Sequence, residues 1–179
     1  MKHLYFLRHG LSEANKQLFW GESDSPLAPE GIEQAINAGK LAKKLGLKFD
    51  IIISSPMVRA HNTAELFAKE IGYLAEKIVI DNSLVERDFG ILEGNVHKEA
   101  SAEYQKDEMS VEKYEGVEKL LTMQERADKY YKYVKNLPQE TILIVGHGAF
   151  GRAFRRSINN ELYNGRGEIL ENAKLYKFI

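Results

Sequence analysis

Four short stretches of this sequence place charged or nucleophilic side chains beside turn-forming residues. Arg8-His9-Gly10 follows the apolar run Leu4-Tyr5-Phe6-Leu7, and Arg59 comes shortly after Ser54-Ser55-Pro56. Glu86 lies beyond Ile78-Val79-Ile80, and Gly146-His147-Gly148 ends Thr141-Ile142-Leu143-Ile144-Val145. Two guanidinium groups, two imidazoles and one carboxylate form a set suited to phosphoryl chemistry. A guanidinium fork matches a phosphoryl group bidentately and keeps its charge, so Arg8 and Arg59 together can neutralise a dianion. Gly10 and Gly148 let backbone approach a ligand closely, and N–H groups at a helix start favour anions. An imidazole whose other nitrogen is held by an acceptor can attack phosphorus. Glu86 can then protonate the leaving oxygen, provided burial or the incoming phosphate's charge raises its pKa so that it is protonated when substrate arrives. Asp88 and Glu93 are nearby carboxylates open to the same role.

The elements that must hold these residues read as alternating strands and helices. Continuous apolar runs at Leu4–Leu7, Asp50–Ser54, Ile78–Ile80 and Thr141–Val145 are those of parallel strands covered on both faces, and Leu175–Ile179 gives a last strand. Helical spacing runs from Pro29 through Ile32, Ala35, Ile36 and Ala42 to a stop at Gly46, and from Met57 through Ala60, Ala64 and Phe67 to Gly72. Gly116–Leu137 predicts an amphipathic helix ending before Pro138, and Phe150–Ile158 a further one. This pattern predicts an α/β, single-domain three-layer sandwich, with a mostly parallel sheet flanked by helices and one domain over 1–179. In such sheets ligands bind outside the carboxyl ends of the strands, where all four stretches fall. The polar, Glu- and Lys-rich segment around 92–115 predicts a small cap over one end of the sheet.

Bulk composition removes other classes. The 179 residues carry 25 Lys+Arg against 26 Asp+Glu, so no broad basic field exists for nucleic acid or an anionic membrane. The absence of Cys excludes a disulfide scaffold, a thiol nucleophile and a thiolate metal site. The N-terminal run is too short for a signal peptide, and no run approaches the roughly 20 apolar residues of a membrane span. The expectation is a cytoplasmic protein, monomer or homodimer, whose partner is a small phosphorylated substrate.

Leu7-Arg8-His9-Gly10 with Ser12 and Asn15 resembles the signature of the histidine phosphatase superfamily, the phosphoglycerate mutase-like proteins. Ser54-Ser55-Pro56-Met57-Val58-Arg59-Ala60 with Thr63-Ala64-Glu65, Leu84-Val85-Glu86-Arg87-Asp88-Phe89-Gly90 with Glu93-Gly94, and Val145-Gly146-His147-Gly148 resemble its further blocks, in the family's order. The resemblance implies the phosphoglycerate mutase-like fold, with His9 as the phosphorylated nucleophile. It also implies that Arg8, Arg59 and His147 bind the phosphoryl group and that Glu86 is the acid and base. Asn15, Ser12, Gly21 and Gly148 are implied as further substrate contacts, with no metal and no cofactor. Leu11 stands where the family usually has a polar residue, and Arg87 after Glu86 resembles the mutase members as much as the phosphatases.

Residues 15–25, 92–115 and Arg87 are left to set selectivity. Of the other histidines, His3 and His61 read as structural and His97 as a surface residue. Among Arg152, Arg155 and Arg156, only Arg152 falls close enough to His147 to be considered for the site. Glu86 and His147 are only 61 positions apart. In the family it resembles, mutases usually carry a longer insertion here that closes over the substrate and excludes water, so the resemblance implies a phosphatase of small-metabolite monoesters over a mutase-type phosphotransferase. A non-catalytic phospho-ligand-binding protein is a third reading, disfavoured because all five residues are present. The set predicts a bell-shaped pH–rate profile with a mildly acidic to neutral optimum; a flat profile would count against Glu86 as the acid.

Overall fold

The computed structural model describes residues 2–16, 25–94, 98–165 and 168–179. Among them, β1 (His3–Arg8), β2 (Ile51–Ser54), β3 (Val79–Ile80), β4 (Thr141–Gly146) and β5 (Leu175–Lys177) form one sheet in the order β3-β2-β4-β1-β5. All pairings are parallel except β5 with β1. The apolar runs serve two faces because side chains alternate along a strand. Leu4, Phe6, Ile142 and Ile144 pack into one cluster with α5 (Leu120–Asn136) and α6 (Gly148–Asn159). Leu7, Ile52, Leu143 and Val145 pack into the other, beneath α2 (Pro29–Lys44) and α3 (Val58–Ile71). The three-layer α/β sandwich expected from the sequence is the one observed.

The topology decides where the chemistry falls. The chain leaves β1, builds β2 and β3, and returns to insert β4 between β1 and β2. The register pairs Arg8 with Gly146 and Ser54 with Val145, so three carboxyl ends finish side by side. His9 N–H then donates to Gly146 C=O at 2.9 Å, and Ser55 N–H to Val145 C=O at 3.0 Å.

Two elements depart from the sequence reading. β3 was expected to be buried, yet Val79 and Ile80 are 40% and 45% exposed, because this two-residue strand is the sheet edge. The helix expected from Gly116 starts at Leu120; Gly116 has a φ of 78°, and Val117 bridges to Phe89 instead.

The 92–115 region contains α4 (Lys98–Lys106) and a 3-10 turn over Ser110–Lys113; α1 is the short helix Glu13–Lys16. Leu92, Ala100 and Val111 make a small core of their own with Phe89 and Val117. Arg87 sits beneath it, fully buried. Its guanidinium donates to Glu118 C=O at 2.8 Å and Glu108 C=O at 2.9 Å, lies 3.5 Å from Glu112, and stacks over Phe89. The selectivity role assigned to Arg87 is therefore corrected: it anchors this excursion to the sheet, because a buried guanidinium needs acceptors and these backbone carbonyls supply them.

Gly10 also works differently from the expectation. A Cβ on Gly10 would lie 2.4 Å from Gly31 C=O, and one on Gly31 would lie 2.0 Å from Leu11 C=O. The glycine pair lets the loop after β1 lie directly on the first turn of α2, so Gly10's close approach is to the protein's own backbone. Gly31→Ala should lower stability by about 1–3 kcal/mol through overpacking, as read by denaturant unfolding. An unchanged midpoint would show that the loop shifts freely.

Candidate active site

Both ring nitrogens of His9 are held. Its Nδ1 lies 2.7 Å from Gly10 C=O, which fixes the proton on Nδ1 and leaves the Nε2 lone pair free of a proton. Arg59 Nε–H donates to that Nε2 at 3.3 Å. Both peptide units around Gly10 are clamped from outside the loop. Gly10 N–H donates to Thr63 Oγ1 at 3.0 Å and Leu11 N–H to Gln34 Oε1 at 2.9 Å, while His9 C=O accepts from Asn172 Nδ2 at 2.8 Å. Thr63 in turn donates to Arg59 C=O at 2.7 Å, one helical turn back, tying the His9 loop to the arginine that faces it.

His147 closes the other side. Its ring centroid lies 5.2 Å from that of His9, and its Nε2 lies 2.8 Å from Ser55 Oγ. Burial, followed by Arg59 and Arg8, pushes the His147 pKa well down. Burial, then His147, Arg59 and Arg8, does the same to His9, against the Gly10 carbonyl that pulls it up. Both imidazoles are neutral at pH 7. Arg8 donates through Nη1 to Leu170 C=O at 2.7 Å. Arg8 Nε and His147 Nδ1 are buried without a hydrogen-bond partner among the described residues. Buried polar atoms rarely go unsatisfied, and two of them beside Arg59 and His9 make a cradle that fits an oxyanion.

Glu86 is placed at the start of α6, where its carboxylate accepts from Ala149 N–H at 3.1 Å, Phe150 N–H at 3.0 Å and its neighbour Arg87 N–H at 2.9 Å. Burial pushes its pKa up, but these backbone donors and Arg152 outweigh it, and the net shift is down. The expectation that burial raises Glu86 is corrected: in this arrangement it is a carboxylate capping a helix. Asp88 and Glu93 serve local turns instead, accepting from Gly90 N–H at 2.7 Å and Phe89 N–H at 3.0 Å respectively.

Beside Glu86 and Arg8 lies a second polar group. Arg152 donates to Tyr163 Oη at 2.8 Å and to Glu108 Oε1 at 2.6 Å, and its Nη2 is 3.5 Å from Tyr104 Oη. Gly148 leaves the space: a Cβ there would meet Arg8 Nε at 3.3 Å and Arg152 Nη1 at 3.6 Å.

The structure thus gathers Arg8, His9, Arg59, Glu86, His147 and Gly148 at the strand ends. Ser12 is buried and accepts Asn15 N–H at 3.2 Å, capping α1; Asn15 Oδ1 is buried without a partner among the described residues. Gly21 and His97 lie outside the described residues. His61 pairs with Glu65 on α3, and His3 is exposed. Sequence reasoning gave no role to Ser55 and Thr63, although both lie in quoted motifs, and it missed Gln34, Leu170 and Asn172. Thr63 was findable from its four-residue spacing to Arg59; no local signal marks Asn172, which is 163 residues from His9. Among the described residues no cluster of His, Asp and Glu could hold a metal ion, and no helix is long and apolar enough to cross a membrane.

A profile described as histidine phosphatase superfamily (branch 1) matches residues 4–178. The chain is 34% identical over 152 residues to a 2,3-bisphosphoglycerate-dependent phosphoglycerate mutase of Borreliella afzelii, covering 80% of this chain and 61% of that protein. It is 34% identical over 160 residues to the same-named protein of Brucella canis, covering 84% and 78%. It therefore spans less than two thirds of the length of some of the mutases it matches. Its fold is shared with a mycobacterial glucosyl-3-phosphoglycerate phosphatase (TM-score 0.80, 22% identity, 98% of this chain and 91% of that one). It is also shared with a phosphoserine phosphatase from Entamoeba histolytica (TM-score 0.76, 24% identity, 98% and 89%).

The two buried neutral histidines fix the sign of a stability prediction. Their folded pKa values lie below the ordinary 6.5, so below that pH the unfolded chain binds more protons than the folded one. Stability is complete above about pH 7 and falls as pH drops through 6.5, each histidine approaching about 1.4 kcal/mol per pH unit. Denaturant unfolding at pH 7.5, 6.5 and 5.5 measures it, and His147→Asn should flatten the dependence. A pH-independent midpoint would contradict burial of the neutral rings.

Proposed function

Because the chain belongs to the histidine phosphatase superfamily, we propose that it hydrolyses phosphate monoesters of small metabolites through a phosphohistidine on His9. The observation that carries this reading is the His9 ring itself. It is neutral, locked by Gly10, and turns Nε2 toward Arg59 within a cradle of buried donors from Arg8 and His147. The Nε2 lone pair attacks phosphorus and the P–O ester bond breaks. Arg8, Arg59 and His147 stabilise charge on the equatorial oxygens, which supplies most of the catalysis in a loose transition state. The leaving alkoxide takes a proton from Glu86. Water, deprotonated by Glu86, then attacks the phosphohistidine and releases phosphate.

Since Glu86 is ionised before substrate arrives, its proton enters with the ester's monoanion, whose second pKa is about 6. This revises the pH expectation: kcat/KM should peak on the acidic side and fall above about pH 6.

Hydrolysis is preferred to transfer because Glu86 and His147 are only 61 positions apart and α5 and β4 of the sandwich occupy the second half of that interval, so only the excursion before α5 is available to cover the site. A small cap over 92–115 leaves the phosphohistidine open to water. The names of the curated relatives favour the alternative, a phosphoglycerate mutase-type transferase. Purified protein should release phosphate from an aryl phosphate and trap radiolabelled phosphate that His9→Ala abolishes. Glu86→Gln should lose alkyl phosphates by about 10²–10⁴-fold while retaining most activity on aryl phosphates, whose leaving groups need little protonation. Interconversion of phosphoglycerates with no phosphate release would favour the mutase.

A further inference from the structure

Arg152 projects from α6 toward the same space as Arg8 and Glu86. Its Nη1 is adjacent to the Gly148 backbone against which the Arg8 guanidinium packs. Its other nitrogens are committed: Nε to Tyr163 at 2.8 Å and Nη2 to Glu108 at 2.6 Å. Glu108 reaches in from just beyond α4 and also accepts from Tyr163 Oη at 2.6 Å, so both carboxylate oxygens are fixed. Arg152 and Glu108 side chains are each only 13% exposed, where charges are weakly screened and a missing counter-charge is expensive. Tyr104, from α4 itself, stands edge-on to Phe89 and brings its hydroxyl to this pair. Arg8, Glu86, Arg152 and Tyr104 all lie within electrostatic reach of one another.

Charge balance then restricts what can bind. Around the phosphoryl cradle the described residues place three cations, Arg8, Arg59 and Arg152, and two carboxylates, Glu86 and Glu108; both histidines are neutral. A phosphate dianion together with a proton on Glu86 brings this set to neutrality. A second anionic group on the substrate would sit near Glu108 with no further cation among the described residues to match it. The neighbouring guanidinium groups are engaged elsewhere: Arg87 with Glu112 and backbone carbonyls, Arg126 with Glu118 at 2.9 Å.

We propose that Arg152, Glu108 and Tyr104 form the subsite for the leaving alcohol, selecting phosphate esters of neutral, hydroxyl-bearing alcohols against esters that carry a second anion. The proposal rests on the phosphatase reading above. Arg152 Nη1 and the Tyr104 hydroxyl supply hydrogen bonds to a hydroxyl beside the ester, and Glu108 holds the subsite near zero net charge. Glu108 is the determinant of this selectivity, acting through Arg152.

Glycerol 1-phosphate and 3-phosphoglycerate test this directly, because they differ chiefly in a hydroxymethyl against a carboxylate. The wild-type protein should prefer glycerol 1-phosphate by at least about tenfold in kcat/KM, the scale of one unmatched charge. Glu108→Gln, which frees the Arg152 charge, should shrink or reverse that ratio. Calorimetric binding of both compounds to His9→Ala gives the same comparison without turnover. Equal use or equal binding of the two compounds by the wild-type chain, binding of neither, or a ratio unmoved in folded Glu108→Gln would overturn the subsite. Aryl phosphate hydrolysis reports only on the phosphatase reading, so its presence alongside any of these failures would leave that reading standing.

Discussion

The loop after β1 carries the site on two peptide units, and its geometry depends on their hydrogen bonds. One unit offers its carbonyl to the His9 ring and its N–H to Gln34 of α2; the other gives its N–H to Thr63 of α3 and its carbonyl to Asn172 near β5. Three separate parts of the chain thus set one imidazole's tautomer and direction. Hydrogen bonds at both ends of a peptide polarise it, so the Gln34 contact strengthens the carbonyl that holds the ring. Two of the side chains that hold this loop, Gln34 and Thr63, come from α2 and α3, whose Ala38, Ala42, Ala64 and Phe67 pack into the hydrophobic layer beneath them.

Electrostatics at the sheet end are built on burial. Removing water from two histidines beside two arginines makes the neutral imidazole the stable form, the form a nucleophile requires. The same burial acts against Glu86, but here the first turn of α6 wins, because its backbone N–H groups have no intrahelical partner and accept a carboxylate as a cap. Burial therefore leaves one class of group neutral and the other charged: the nearby guanidinium groups add to desolvation at the histidines, whereas backbone donors and Arg152 oppose it at Glu86.

The excursion between Glu86 and α5 is joined to this end of the sheet by two buried guanidinium groups. Arg87 grips its backbone and Arg152 grips Glu108, so the small core under α4 and the first turn of α6 are held by shared residues. The residue beside the candidate acid is thereby structural, while Arg152, five residues beyond His147, lies beside Arg8 and Glu86.

The sequence by itself determined the layer architecture, the strand ends and the five chemical groups on them, because strand and helix periodicity and turn residues are local signals. It also marked β5 and the α2 and α3 boundaries to within a residue or two. Only the tertiary structure decided that β3 is an exposed edge, that Gly10 faces Gly31 rather than a ligand, that Arg87 is an anchor, and that Glu86 is ionised. Each of these depends on which distant atoms are brought within hydrogen-bond or van der Waals range, and on how much water is excluded there. Chain order does not encode such distances; the packing of α2 on the β1 loop, of the 92–115 excursion on Arg87 and of α6 on Glu86 creates them.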